Sequence, residues 1–168
     1  QGAGRAGGGQ YPDDENARTA QASFQLRRFT DLDELLDAVD VVDIVTPTTT
    51  HYELARRAIE RGKHIFVEKP LTRDLAEAEE LLRLVEDSGV KAQVGHVERF
   101  NPAFLSLDPE TLSPMFIEGH RLAAFNPRGT DVSVVLDLMI HDLDIVLSVV
   151  DSPVKHISAS GVPVVSRT

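Results

Sequence analysis

The amino-acid sequence predicts an α/β fold built around a parallel sheet. Short β-branched or apolar runs at residues 41–46, 64–68 and 90–94 alternate with segments of helical periodicity at residues 50–61 and 75–88. A short apolar run bounded by turn residues is typical of a strand that is buried on both faces. Strands that alternate with helices over short connections form right-handed parallel units. We therefore expect three parallel strands with helices packed against them.

Local signals indicate where these elements begin and end. Ahead of the first strand, residues 15–23 predict a polar helix, and residues 31–39 predict a short amphipathic helix with Thr30 or Asp31 as its N-cap. Proline stops the first two strands and glycine ends the two later helices, at Pro47, Pro70, Gly62 and Gly89. The predicted elements therefore have sharp boundaries.

The alternation of strands and helices stops after Gly95. Residues 115–124 predict a strand of alternating type, residues 134–150 have a long helical pattern, and residues 155–165 predict another strand. We place a domain boundary near residues 96–102, and we expect an α+β unit after it.

The composition restricts the class of protein. The chain has 168 residues, 42% of them hydrophobic, and its 17 basic and 27 acidic side chains give a net charge of −10. The acidic balance disfavours a nucleic-acid partner. The sequence has no cysteine, no apolar run of the roughly 20 residues that span a bilayer, and no secretory-type apolar stretch at its start. These features predict a soluble, cytoplasmic protein without a membrane partner.

A glycine-rich motif near the start has the residue spacing of a nucleotide-binding pattern but not the structural context of one. Gly2-Ala-Gly4-Arg-Ala-Gly7 has the spacing G-x-G-x-x-G. Those glycines bind a pyrophosphate only where a strand precedes the turn and a helix follows it. Neither is predicted here, so we interpret residues 1–10 as a flexible glycine-rich end.

Polar residues follow the first two predicted strands of the sheet. Lys69 and Pro70 come directly after the second strand, and residues 46–51, Thr-Pro-Thr-Thr-Thr-His, follow the first. In open α/β sheets, ligands bind outside the carboxyl ends of the strands. Lys69 can donate to a substrate oxygen there, and the Lys69–Pro70 bond can be cis. The alternatives are a solvated lysine and plain helix N-caps.

A polar cluster interrupts the apolar helix over residues 134–150. Asp137 and His141 are four residues apart and share a helix face, so the carboxylate can orient the imidazole as a general base. Metal binding is the alternative for this cluster, with ligands drawn from His141, Asp142, Asp144 and either His96 or His120. A His-Asp pair of this kind also occurs in the all-helical HD phosphohydrolases, against which the β-α-β pattern counts.

Residues 95–102, Gly-His-Val-Glu-Arg-Phe-Asn-Pro, follow the third predicted strand. Arg99 and Asn101 are therefore placed to reach the same crevice. By itself this segment also fits a hinge between domains.

Four segments in this order resemble the Gfo/Idh/MocA family of NAD(P)-dependent oxidoreductases. They are residues 42–51, 58–70, 95–102 and 137–144, and the second, which ends in Glu-Lys-Pro, is the most specific. The resemblance implies an N-terminal Rossmann domain and a C-terminal α/β domain whose open sheet often forms the oligomer interface. It also implies hydride transfer between NAD or NADP and a sugar, cyclitol or related substrate. The C-terminal residues most resemble members thought to act on nucleotide sugars such as UDP-N-acetylglucosamine.

The resemblance assigns roles to individual residues. Lys69 matches the family's active-site lysine, and Asp137 and His141 match its Asp-x-x-x-His pair, with His141 as the acid/base on the substrate hydroxyl. Arg99 and Asn101 fall near the boundary between cofactor and substrate. The residues that fall where the family lines its cofactor are Thr46, Pro47, Thr48, His51, Glu68 and Lys69. The resemblance implies no metal.

The chain departs from the family in its length. Members are about twice as long, and their first strand, fingerprint turn and first helix are expected before Tyr11, where ten glycine-rich residues stand. The chain thus resembles a member cut at both ends. We expect residues 1–97 to form an N-terminally incomplete Rossmann-type parallel sheet and residues 98–168 to form part of an α+β substrate and oligomerisation domain with an open sheet.

Two hypotheses of function follow. The first is an NAD(P)-dependent oxidoreductase that acts on a small sugar-type substrate and assembles as a homo-oligomer through its C-terminal sheet. The second is a catalytically silent member of the family that acts as a structural or self-association module. Binding of a nicotinamide cofactor distinguishes them.

Overall fold

Two parallel sheets carry the strands in the part of the chain that the structure describes. The computed structural model describes residues 8–10, 14–24, 26–107, 112–122 and 132–162, so the motif Gly2–Gly7 lies outside the described residues. The strands are β1 (Gly8–Gly9), β2 (Arg27–Arg28), β3 (Val41–Ile44), β4 (His64–Glu68) and β5 (Ala92–Gly95). The helices are α1 (Asp14–Phe24), α2 (Leu32–Ala38), α3 (His51–Glu60), α4 (Leu75–Ser88), α5 (Pro102–Leu105) and α6 (Ile140–Val149).

The larger sheet confirms the predicted parallel α/β unit. Its order is β3-β4-β5, all parallel, with Ile44 opposite Val67 and Val67 opposite Val94. The crossovers are α3 and α4, which lie between successive strands in the chain and pack on the sheet, as expected for parallel pairs. The buried core formed by these elements contains Leu36, Ile44, Ala55, Ala58, Ile59, Ile65, Val67, Leu81 and Val90. Each large member contributes about 1.5–3 kcal/mol through removal of its side chain from water.

The smaller sheet was not predicted. β1 pairs with β2 in parallel, Gly8 with Arg27 and Gly9 with Arg28. A Cβ on Gly8 would lie 2.1 Å from Cε2 of Phe29 and 2.6 Å from the Arg27 carbonyl oxygen, so only glycine fits at this position. The two sheets are separate, and a cavity of about 390 Å³ lies between β1 and β3.

The helix ends follow their local signals. Asp31 caps α2 by accepting hydrogen bonds from the backbone N–H groups of Asp33 and Glu34. α4 begins after Asp74, whose carboxylate accepts from the Glu77 N–H at 3.1 Å, and it ends at Gly89 with φ of 70°. The predicted ranges for α1, α3 and α4 are confirmed within one or two residues.

The two strands predicted for the C-terminal part are wrong for the residues that the structure describes there. Residues 115–122 and 155–162 have no strand hydrogen bonding. A strand needs a neighbour to accept and donate its backbone hydrogen bonds, and the alternating pattern supplies only the side chains for one. Met115, Phe116 and Ile157 are accordingly exposed.

The helical pattern over residues 134–150 is confirmed, with one irregularity that the sequence did not indicate. A π-helical turn, Val135–Met139, leads into α6. Such turns are rare and are often found at functional sites. Among the described residues, no helix is both long and apolar enough to cross a membrane.

Candidate active site

The candidate site lies at one edge of the larger sheet. Because β3, β4 and β5 are parallel, their carboxyl ends share this edge. The segments that leave it are residues 45–50, 69–72 and 96–100. The π-helical turn joins them through its contact with Lys69, which follows β4. The predicted polar residues of the strand ends therefore converge on the start of the C-terminal helix.

Lys69 bridges the sheet edge and the π-helical turn. Its ammonium group donates to the Asp137 carbonyl oxygen at 2.7 Å and to Asp137 Oδ1 at 3.1 Å. The Lys69 side chain is 20% exposed and that of Asp137 is 34% exposed, so water still reaches the pair. The Lys69–Pro70 peptide bond is cis, as the sequence allowed. A charge-assisted contact of this kind holds the ammonium group in one place.

His141 lies one helical turn after Asp137, but its ring is not bonded to that carboxylate. Its Nδ1 is buried and has no hydrogen-bond partner among the described residues. Burial lowers the pKa of His141, and the positive charges of Lys69 and Arg121 lower it further. The imidazole is therefore mainly neutral near pH 7, and a neutral imidazole can accept a proton.

His51 is placed differently from the side chains around it. It begins α3 and is 1% exposed. Its Nδ1 lies 2.8 Å from the Pro70 carbonyl oxygen and its Nε2 lies 2.8 Å from the Thr46 carbonyl oxygen. Both ring nitrogens are thus occupied by backbone, so the ring has no atom left to hydrogen bond to a cofactor.

The other residues expected to line a cofactor lie along the same edge. Pro47 and Thr48 lead into the short 3-10 helix Thr48–Thr50. The Thr50 hydroxyl can donate to the Thr46 hydroxyl at 2.7 Å or to the Pro47 carbonyl oxygen at 2.9 Å. Thr46 is exposed, so a ligand can reach its hydroxyl. Glu68 Oε2 accepts from the Lys69 N–H at 3.2 Å.

Gly95 lies close to this carboxylate. A Cβ at residue 95 would lie 3.2 Å from Glu68 Oε2, so this end of β5 favours the smallest residue.

Arg99 and Asn101 have partners within the protein. Nε and Nη2 of Arg99 donate to the two carboxylate oxygens of Asp144, each at 2.6 Å. Asn101 caps α5 by accepting from the Ala103 N–H at 3.0 Å. In this structure Arg99 therefore fastens α6 to the segment after β5.

A second arginine pair was missed from the sequence. Nε and Nη2 of Arg121 each donate to an oxygen of Asp142 at 2.7 Å. A carboxylate within an apolar helix indicates a cationic partner, but nothing in the sequence says which arginine reaches it.

The metal alternative gains no support from this arrangement. In the described part of the chain, no three His, Asp or Glu side chains converge to hold a metal. Asp142 and Asp144 are instead each paired with an arginine.

We expect Asp144→Asn to lower the free energy of unfolding by about 1–3 kcal/mol at neutral pH. Asp144 is 9% exposed, and its hydrogen bonds with Arg99 hold its pKa below the ordinary value of 3.8. A carboxyl with a lowered pKa stabilises the fold when it is ionised, and this contribution is lost as the pH falls through the folded-state pKa. Urea unfolding at several pH values measures the effect.

The matched control is Asp87→Asn, which changes an exposed carboxylate on α4. The difference in stability between wild type and Asp144→Asn should shrink below pH 3.8, the ordinary aspartate value. A loss equal to that of Asp87→Asn at every pH would contradict the anchoring role of the Arg99 pair.

Comparison with known proteins identifies the family. The model of the oxidoreductase family with an NAD-binding Rossmann fold matches residues 11–96. UDP-N-acetylglucosamine 3-dehydrogenase of Acidithiobacillus ferrooxidans is 40% identical over 157 residues, which cover 91% of this chain and 50% of the relative. Scyllo-inositol 2-dehydrogenase (NAD(+)) of Bacillus subtilis is 35% identical over 132 residues, which cover 73% of this chain and 39% of the relative.

A solved structure agrees with the sequence comparisons. The structure of the Acidithiobacillus ferrooxidans UDP-N-acetylglucosamine 3-dehydrogenase has a TM-score of 0.86 and 38% identity, and the match covers 95% of this chain and 53% of that one. The chain thus spans about half the length of this relative. On this evidence, the chain belongs to the Gfo/Idh/MocA family of oxidoreductases, whose dinucleotide-binding part has a Rossmann fold.

Proposed function

We propose that the chain provides the reacting edge of a dehydrogenase that moves a hydride between NAD or NADP and a hydroxyl-bearing carbon of a sugar, nucleotide sugar or cyclitol. The observation that carries this proposal is the contact of Lys69 with Asp137, which are 68 positions apart in the sequence. It brings a lysine at the carboxyl edge of the sheet to the turn that leads into His141. A fixed cation beside a neutral imidazole suits the removal of a proton from an alcohol.

In this proposal His141 is the general base and Lys69 stabilises the developing charge. The neutral His141 ring takes the proton of the substrate hydroxyl. The Lys69 ammonium donates to the same oxygen and stabilises the negative charge as it forms. Asp137 keeps the ammonium group in place. The nicotinamide, when bound, supplies the acceptor for the hydride.

The residues at the sheet edge fit the nicotinamide half of such a cofactor. Thr46, Thr48 and Lys69 would hold it, since the Thr46 hydroxyl is exposed and Lys69 is partly exposed. His51 would act only through the backbone that it binds.

The substrates of two relatives support the proposed substrate class. One acts on UDP-N-acetylglucosamine and the other on scyllo-inositol, so both carry a ring with several hydroxyl groups. The higher identity to the first favours a nucleotide sugar. We further propose that residues 1–97 bind the cofactor and residues 98–168 face the substrate.

One observation favours the second hypothesis, a self-associating module. Five large apolar side chains of the C-terminal part are mostly exposed, and exposed apolar side chains are available for burial in an interface. They are Met115, Phe116, Leu122, Ile157 and Val162. The same surface supports a homo-oligomer under the first hypothesis. For either hypothesis we propose the cytoplasm, which suits a chain without cysteine.

We expect the chain to bind NADH or NADPH with a Kd on the order of 1–100 μM, a range reached by modest nucleotide contacts. The expected partner groups are the hydroxyls of Thr46 and Thr48 and the ammonium group of Lys69. Titration followed by nicotinamide fluorescence measures the affinity. Thr46→Val should weaken binding several-fold, because it removes a hydroxyl hydrogen.

The matched control is Thr19→Val on α1, whose hydroxyl donates within its own helix to the Glu15 carbonyl oxygen. It should leave the affinity unchanged. No saturable binding, together with a dimer in sedimentation, would contradict the first hypothesis for this chain and favour the self-associating module.

A further inference from the structure

His51 is a buried titratable residue to which the reaction proposed above assigns no step. It stands at the first position of α3, where its ring lies between the segment that follows β3 and the segment that follows β4. It reaches the Thr46 carbonyl oxygen on one side and the Pro70 carbonyl oxygen on the other, each at 2.8 Å. The ring therefore spans the two strand ends at the candidate site.

The chemistry of the two partners determines which ring nitrogen must carry a hydrogen. Carbonyl oxygens only accept hydrogen bonds, so each nitrogen needs a hydrogen to bond to its partner. A ring that carries one hydrogen donates to one of the two oxygens, and donation from Nδ1 makes the bond to Pro70. Both distances, 2.8 Å, lie within the ordinary range of N–H···O hydrogen bonds.

The link on one side leads directly to Lys69. Pro70 follows Lys69, and its ring fixes its own φ angle, so the Pro70 carbonyl carbon keeps one orientation relative to the Lys69–Pro70 peptide unit. A hydrogen bond from His51 to the carbonyl oxygen then restrains the remaining rotation of this backbone. The Lys69 N–H is also held, at 3.2 Å, by Glu68. The Lys69 side chain then extends from this backbone to Asp137.

We propose that His51 is a positioning residue for Lys69: its buried ring donates to the Pro70 carbonyl oxygen, lies against the Thr46 carbonyl oxygen, and so fixes the backbone from which the Lys69 ammonium group reaches Asp137. The link itself concerns contacts within the chain. Its consequence for turnover rests on the proposed function.

Selective ¹⁵N labelling of lysine provides a direct measurement. The chain has four lysines, at 63, 69, 91 and 155. An ammonium group held by two hydrogen bonds exchanges its hydrogens slowly, so Lys69 should give an Nζ signal that disappears in Lys69→Arg. In His51→Ala that signal should be lost, while in His120→Ala, which changes an exposed histidine, it should remain.

Two conservative variants of His51 distinguish its contact with Pro70 from its contact with Thr46. The side-chain nitrogen of asparagine coincides with Nδ1 of histidine, and that of glutamine coincides with Nε2. His51→Asn therefore retains a donor for Pro70, and His51→Gln retains one for Thr46. We expect the Lys69 signal to persist in His51→Asn and to be lost in His51→Gln.

Several results would overturn the proposal. A folded His51→Ala that retains the Lys69 signal would do so, and so would a signal that survives in His51→Gln and disappears in His51→Asn. If His51→Ala does not fold, the asparagine and glutamine pair decides. In the wild type, long-range ¹H–¹⁵N spectra should show a hydrogen on Nδ1 of His51, the nitrogen that faces Pro70, and an Nδ1 without one would overturn the link to Lys69.

Kinetics then separate this proposal from the proposed function. A displacement of about 1 Å of a catalytic group costs on the order of 100-fold in rate. His51→Gln should lower kcat by up to about that factor, with the KM for the cofactor little changed, and His51→Asn should recover most of the loss. If the wild type shows no turnover, the proposed function fails, whereas the ¹⁵N result on Lys69 still decides the role of His51.

Discussion

Lys69→Ala should lower kcat by about 10²–10³-fold, the loss typical of removing one donor to an oxyanion. In wild type the ammonium group is held by the Asp137 carbonyl and carboxylate oxygens, at 2.7 and 3.1 Å, beside the position we propose for the substrate hydroxyl. Alanine removes both the donor and the charge. Initial rates of nicotinamide reduction with sugar and nucleotide-sugar substrates measure the effect, and NADH titration shows whether the cofactor still binds.

The matched control is Lys91→Ala, which removes the same charge from an exposed lysine just before β5, at the opposite end of that strand. Its kcat should stay within about twofold of wild type, as for exposed substitutions far from a site. Lys69→Arg should retain only part of the activity, because the planar guanidinium differs in shape and reach from an ammonium group. Equal rates for Lys69→Ala and Lys91→Ala would contradict the assignment of Lys69.

The sequence was most informative where local chemistry determines structure. The C-terminal end of α4 follows from Gly89, a residue that accepts a positive φ angle. The strands β3 and β4 follow from apolar runs that proline ends. Parallel pairing then brings the carboxyl ends of these strands to one edge, so the approximate position of Lys69 was predictable.

The parts that the sequence did not reveal depend on long-range contacts. Gly8 was assigned to a glycine-rich end, yet it pairs with Arg27 and accommodates the Phe29 ring. His51 was placed among cofactor-lining residues because of its position in a motif. Only the folded chain shows both of its nitrogens on backbone carbonyl oxygens.

In the C-terminal part, the sequence predicted strands that the structure does not contain among its described residues. Alternating side chains over residues 115–122 satisfy one condition for a strand, and a hydrogen-bonded neighbour is the other. The sequence holds no information on the second condition within that window. Likewise, the pairing of Arg121 with Asp142 depends on how a separate segment approaches α6.

His141→Ala should lower kcat by about 10²–10⁴-fold, the usual contribution of a general base. Its partner in the reaction is the substrate hydroxyl, so the variant should keep its affinity for the cofactor. His156→Ala, which removes an exposed histidine in the same part of the chain, is the matched control and should retain wild-type turnover. Wild-type turnover in His141→Ala would contradict the assignment.

The pH dependence of kcat/KM tests the same residue without removing it. The pKa of His141 is lowered by burial first and then by the charges of Lys69 and Arg121, so the neutral base persists to a lower pH than for an ordinary imidazole. The acid limb of the profile should therefore lie below 6.5, the ordinary histidine value. In Lys69→Ala one of the lowering charges is gone, so the limb should move to higher pH.

NMR titration of the His141 ring follows the same shift where turnover is too slow to measure. Lys91→Ala should leave the midpoint unchanged, because its charge lies at the other end of β5. An unchanged midpoint in Lys69→Ala would mean that the two groups do not sense each other. In that case His141 and Lys69 would not form one site, and the result would contradict the proposed reaction.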